Sequence, residues 1–150
     1  MKGEKMFKID QVPLAFKFKL IHDQFVRIIN LGLKEDRLTN AQMELLIYLK
    51  NNSTHDVTQK EICESMHVTH PTVIGLIDRL EDKNLVQRHT NPLNKRFKTI
   101  RLTPDGQAIL DKHKKFRENT SEIILHCMSQ EETEILNSLL IKVYDNLSKV

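Results

Sequence analysis

Cys63, His67 and His70 stand four and three residues apart. On successive helical turns that spacing would gather a thiol and two imidazoles, a set able to hold a divalent cation. The same trio has a plainer reading, because Cys63 shares a helical face with Ile62 and Met66, where a thiol behaves as a small hydrophobe. His113 and His126 have no ligand partner three or four residues away. The expectation is therefore no metal site and no cofactor. A redox switch needs an exposed, activated thiol, preferably with a resolving partner; neither Cys63 nor Cys127 has that setting in the sequence. The four glycines form no phosphate-cradling loop, and G-x-S-x-G, H-E-x-x-H and any nucleophile–base set are missing. No catalytic residues are assigned, and the chain is not expected to be an enzyme.

A different chemistry lies in RHTNPLNKRFKTIRL, Arg88 to Leu102, which holds five Lys or Arg and no carboxylate in a chain of net charge +3. The rest of the chain carries −2 by difference, so the positive charge is local. Arg88, Lys95, Arg96, Lys98 and Arg101 cannot all be buried without a large desolvation cost. They lie at the surface, where such a patch attracts a polyanion. A solvated charged face is the bland alternative.

The elements around this patch are clearly punctuated. Thr39-x-x-Gln42, Thr58-x-x-Glu61 and Ser129-x-x-Glu132 read as capping boxes, each preceded by an apolar residue. Thr69 and Thr103 open further helices, with Pro71 and Pro104 in their first turns. Leu14, Phe18, Ile21, Phe25 and Ile28 recur at four- and three-residue steps after Pro13, giving a sixth, amphipathic helix at the front of the chain. The fifth helix is expected to run long, carrying both His113 and His126. Asn84 suits a left-handed helix terminus. Leu85 to His89 and Lys98 to Leu102 then read as two strands, joined by a loop over 90–97. The fold class expected is mainly α, a winged helix-turn-helix of about six helices with a two-stranded β wing. Within one domain spanning 1–150, the DNA-binding lobe covers 38–103, and 9–33 with 104–150 form a helical dimerisation region.

The helices opening at Thr58 and Thr69 are separated by only a few residues, the spacing of a helix-turn-helix. The second buries Val73, Ile77 and Leu80, with Leu76 flanking, and offers His70, Thr72, Gly75 and Arg79 on its other face. Gly75 permits either close helix packing or close approach to DNA. Placed directly after this motif, the cationic hairpin points to duplex DNA.

LTNAQMELLIYL, TQKEICESMHVTHPTVIGLIDRLEDKNLVQRHTNP and KRFKTIRLTPDGQAIL together resemble the winged helix-turn-helix of the multiple antibiotic resistance regulator (MarR) family, over Leu38 to Leu110, about half the chain. The resemblance implies a dimeric bacterial transcription factor, usually a repressor, with recognition helices in major grooves and wings in minor grooves. By position, Thr69 to Thr72 begin the recognition helix, Arg79 takes its commonly basic position and Arg96 is the wing-tip arginine. The DNA-contact residues implied are Thr69, His70, Thr72, Gly75, Arg79, Arg88, Lys95, Arg96 and Lys98. Two positions depart from the family: Asn84 stands where glycine is usual, and Asn94 where a wing aspartate would orient the arginines.

Leu136, Leu140, Val143, Leu147 and Val150 form an apolar seam widened by Ile135 and Leu139. With the first helix it can serve a homodimer, or pack within one chain. The family resemblance also suggests a small aromatic or phenolic effector, with Phe18, His22, Phe25 and Tyr48 either lining its cleft or forming ordinary core. No apolar run reaches the roughly 18 residues of a membrane span, and a cytoplasmic protein is expected. A winged-helix protein-interaction module, or a metal- or redox-sensing regulator of the same fold, are the alternatives.

Overall fold

Each helix start marked in the sequence by a hydroxyl or a proline carries a helix. The structure, a computed structural model, describes residues 8–91 and 94–149, with the side chains of 91 and 94–97 outside the described set. α1 (Leu14–Gly32) follows Pro13. α2 (Asn40–Asn51) opens on a capping box in which the Thr39 hydroxyl accepts from the Gln42 N–H and Gln42 Oε1 accepts from the Thr39 N–H at 3.0 Å. α3 (Gln59–Met66) repeats the device with Thr58 and Glu61. α4 (His70–Glu81) has Pro71 in its first turn, but Thr69 does not cap it. The Thr69 hydroxyl instead bonds that of Thr72 at 2.9 Å. α5 (Pro104–Lys112) is capped by Thr103, whose hydroxyl accepts from the Gly106 N–H at 3.0 Å.

The helix ends are built on left-handed residues that are not glycine. Arg37, His67 and Asn84 have φ of 52°, 52° and 58°. Each is followed by a residue whose N–H reaches back five positions: Leu38 to Leu33, Val68 to Cys63 and Leu85 to Leu80, at 2.9–3.2 Å. Leu33, Leu38, Leu80 and Leu85 are all buried, so two of these caps are also clamped by apolar burial, as such motifs favour. At Asn84 the left-handed terminus expected from the sequence is present, and its amide donates to Asp105 at 2.7 Å.

β1 (Val57–Thr58), β2 (Val86–Asn91) and β3 (Asn94–Leu102) form one antiparallel sheet in the order β1-β3-β2. Two sequence expectations are corrected here. The hairpin ladder runs well beyond His89 and begins before Lys98, so much of the expected loop is strand, with a register irregularity between Thr90 and Asn91. A third strand, β1, also pairs Val57 with Ile100 and Thr58 with Thr99.

The chain divides into two compact units, Met1–Lys112 and His113–Val150. The first holds the main core: Leu45, Leu46, Ile62, Val73, Ile77, Leu80, Val86 and Ile100 are at most 1% exposed. Its α1–α2 turn is tied down by polar contacts. Both Asp36 carboxylate oxygens accept from Lys112 Nζ at 2.8 Å, and Lys83 Nζ donates to the carbonyls of Asp36 and Arg37. The second unit contains α6 (Lys114–Leu125) and α7 (Gln130–Leu147), the latter opened by the Ser129–Glu132 capping box. The long fifth helix expected from the sequence is thus interrupted at His113. Leu140 and Leu147 of the seam are exposed, as are Ile135, Leu139 and Tyr144, while Leu136 and Val143 are half-buried. In the first unit α1 exposes Leu14, Phe18 and Ile21. No described helix is long and apolar enough to cross a membrane.

Candidate nucleic-acid interface

α3 and α4 meet through a tight turn set by the left-handed His67. One face of α4 is sealed into the core by Val73, Leu76, Ile77 and Leu80, the row the sequence predicts. The face left to solvent carries Thr69, His70, Thr72 and Arg79, all exposed, with Gly75 half-exposed between them. A methyl group added at Gly75 would meet nothing within 4 Å. Close packing inside the chain therefore does not require this glycine. Arg79 has no ion pair with a described residue, which leaves its guanidinium available to an external acceptor.

Cys63 and His70 do come together, with Sγ 3.8 Å from Nδ1, whereas His67 is the exposed left-handed cap. Among the described residues no group of three His, Cys, Asp or Glu is placed to hold a metal ion.

The wing brings fewer free cations to the surface than its sequence offers. Arg88 is committed within the fold. Its guanidinium donates to Asp78 and to Glu81 on α4, and its backbone N–H donates to Glu81 Oε1 at 3.1 Å. Burial works against the charged guanidinium, yet hydrogen bonds and attraction from Asp78 and Glu81 outweigh it and hold its pKa above the ordinary value. The sequence reading counts Arg88 among the DNA contacts, and in the fold its guanidinium is engaged with Asp78 and Glu81. Arg101 pairs with Asp56, Nε and Nη2 lying 3.0 and 2.5 Å from Oδ1. Lys98 is exposed, opposite Thr90 on the neighbouring strand. The side chains of Asn94, Lys95 and Arg96 lie outside the described residues.

Asp56, Asp78 and Glu81 are the site residues the sequence reading missed. The only available signal was the placement of two carboxylates three positions apart on α4, seven and ten residues before Arg88. At the start of α3, hydrogen bonds from the Thr58 side chain and backbone hold the Glu61 carboxyl below its usual range against a small opposing effect of burial, with His55 adding to the lowering.

Of the expected effector residues, Phe18 and His22 are exposed, and Phe25 and Tyr48 are half-buried. None of them lines either described cleft. One, of about 580 Å³, lies between the segment from Leu49 to Val57 and the strand residues Ile100, Arg101 and Leu102. The other, about 380 Å³, runs along α1 beside Asp23, Arg27 and Leu31.

An exposed recognition helix, a three-stranded sheet and a hairpin projecting from it define a winged helix-turn-helix. The MarR family description matches residues 38–96. The fold is similar to that of Staphylococcus aureus MepR in a complex with DNA, with a TM-score of 0.82, 25% identity, and 91% of this chain and 99% of that one covered. Wild-type apo MarR from E. coli superposes with a TM-score of 0.74 at 26% identity over 88% of this chain and 96% of that one. The transcriptional regulator SlyA shares the fold, with a TM-score of 0.80 at 24% identity over 92% and 96%. The MarR-family match thus covers the helix-turn-helix and most of the hairpin, and the rest of the chain shares the fold of these transcription regulators.

Proposed function

We propose that this protein is a homodimeric repressor that binds a pseudo-palindromic operator in double-stranded DNA and is released by a small aromatic or phenolic effector. The observation carrying the reading is the outer face of α4. There Thr69, His70, Thr72 and Arg79 offer hydroxyl, imidazole and guanidinium groups around a glycine with open space above it. Such a face can meet base edges and phosphates while its backbone approaches the groove closely. Lys98 supplies a phosphate contact, and Lys95 with Arg96 extends the wing toward the minor groove, where a narrow A·T tract concentrates negative potential.

Two copies are favoured because one helix and one wing make few base contacts, and operator symmetry mirrors a two-fold protein. The exposed apolar faces of α1 and α7 supply what a second copy would cover. Phe18, His22, Phe25 and Tyr48 are the residues proposed to receive the effector.

Selection of bound duplex from a random library, followed by titration in increasing salt, tests the reading. A symmetric motif with half-sites about 10 bp apart is expected. If the dimer makes on the order of 8 phosphate contacts, log affinity against log salt falls with a slope near about −7. A monomer at micromolar concentration, or salt-insensitive binding, would refute it.

A further inference from the structure

We infer that Arg88 is a positioning residue that locks the wing to the recognition helix and so fixes the offset between the two DNA-reading elements. Its importance for DNA recognition rests on the function proposed above. The bridge has three strands of evidence in its geometry. The guanidinium forks across Asp78 and Glu81, one helical turn apart on α4, and the Arg88 backbone N–H adds a bond to Glu81 Oε1. The Arg88 side chain is 24% exposed and those of Asp78 and Glu81 are 53% and 37% exposed, so solvent screens the pairing in part. Finally, Arg88 lies within the ladder, opposite Ile100, which is 1% exposed. A shift of the bridge is thereby passed to both strands of the wing.

A planar guanidinium suits this place because it can serve two carboxylates at once, which an ammonium on a flexible stem does poorly. Asp78 and Arg79 are adjacent on α4, so the helix that exposes the free arginine also anchors the committed one. The bridge therefore ties the alignment of the wing to the helix that carries the exposed contact face.

The test uses the full chain and three variants: Arg88→Gln, Arg88→Lys, and Asp78→Asn with Glu81→Gln. Amide exchange of Gln87 to Thr90 and Thr99 to Arg101 is measured without DNA, and operator binding is measured with A·T-rich and G·C-rich flanks across a salt series. Each variant is expected to exchange about fivefold faster in the wing and to bind the operator about fivefold more weakly, the scale of one partly screened ion pair. Preference between flanks narrows, while the salt slope of Arg88→Gln stays at the wild-type value. Arg88→Lys keeps the charge and the fold yet loses the fork, so it separates alignment from charge alone.

A phosphate-binding Arg88 would give the opposite pattern. Arg88→Gln would lower the salt slope by about 1, Arg88→Lys would bind nearly as well as wild type, and the double carboxylate variant would bind more tightly. That pattern overturns the inference. If the wild-type protein binds no duplex, the functional reading fails by itself. The exchange measurement still decides whether the bridge holds the wing, and unchanged exchange in all three variants would overturn it.

Discussion

Gly75→Ala is expected to make the protein more stable and a poorer DNA binder. Gly75 lies inside α4, has no positive φ, and has open space where a Cβ would stand. Alanine then restricts the unfolded chain and favours helix without a steric cost, a gain of about 0.8–1 kcal/mol. For a chain of this length the thermal midpoint should rise by about 2–4 °C. On the operator the same methyl group intrudes where backbone and DNA come close. Overpacking of that kind costs upward of about 1 kcal/mol, or about a fivefold to tenfold loss of affinity. Calorimetry of the free protein and fluorescence anisotropy on the selected operator read the two effects separately, with Gly75→Leu enlarging the second. A lower midpoint for Gly75→Ala would mean that the space is not free in the folded protein. A higher midpoint with unchanged operator affinity would remove Gly75 from the interface and weaken the assignment of that helix face.

Gly106→Ala should act in the reverse sense on stability, because its Cβ would lie 2.1 Å from the Leu85 carbonyl oxygen and 2.7 Å from Leu102 Cδ1; a loss of about 2–3 kcal/mol in denaturant unfolding is expected. Changing Leu140 and Leu147 to Asp, both exposed on α7, should shift sedimentation toward monomer and lower operator affinity with it, and an unchanged sedimentation profile would exclude that helix from the interface. The depressed pKa of Glu61 means that its folded form favours the carboxylate. Its contribution is complete above the unfolded pKa, at about pH 5 and higher, and is lost as pH falls through the lower folded value. Glu61→Gln should accordingly flatten the acid limb of the unfolding midpoint, measured from about pH 6 to about pH 3.

Where one residue type has one dominant local use, the fold was legible. Thr39, Thr58 and Ser129 form the capping boxes their spacing predicts, Asn84 adopts its left-handed conformation, and Val73, Ile77 and Leu80 bury together. β1 was not legible because two residues are too few to display a period, and its pairing with β3 spans more than forty residues of sequence. The left-handed terminus at Arg37 was missed because arginine seldom adopts that conformation, and the one at His67 because histidine, though it tolerates it, does not mark a helix end as glycine or asparagine does; backbone hydrogen bonds from the residues that follow hold both. The need for a glycine at position 106 was not legible either, because only the fold brings Leu85 and Leu102 against it. At the site, the exposed face of α4 follows directly from helical periodicity. The engagement of Arg88 does not, since counting charges cannot tell a free cation from one already facing two carboxylates.

The central strand of the small sheet has a consequence outside DNA recognition. β3 pairs with β2 at Asn94 and from Lys98 to Leu102, whereas β1 meets it only at Thr99 and Ile100. Among the described residues, the other side of β3 from Asn94 to Lys98 therefore has no strand beside it, and an open strand edge is a template on which a second molecule can add. The sequence there is NKRFK, three cations in five residues, and two such edges brought together would repel one another. Off DNA, the wing's basic composition thus works as a guard against self-association. Neutral replacements of Lys95, Arg96 and Lys98 would expose that edge to sheet extension, a hazard to colloidal stability quite separate from any loss of operator binding.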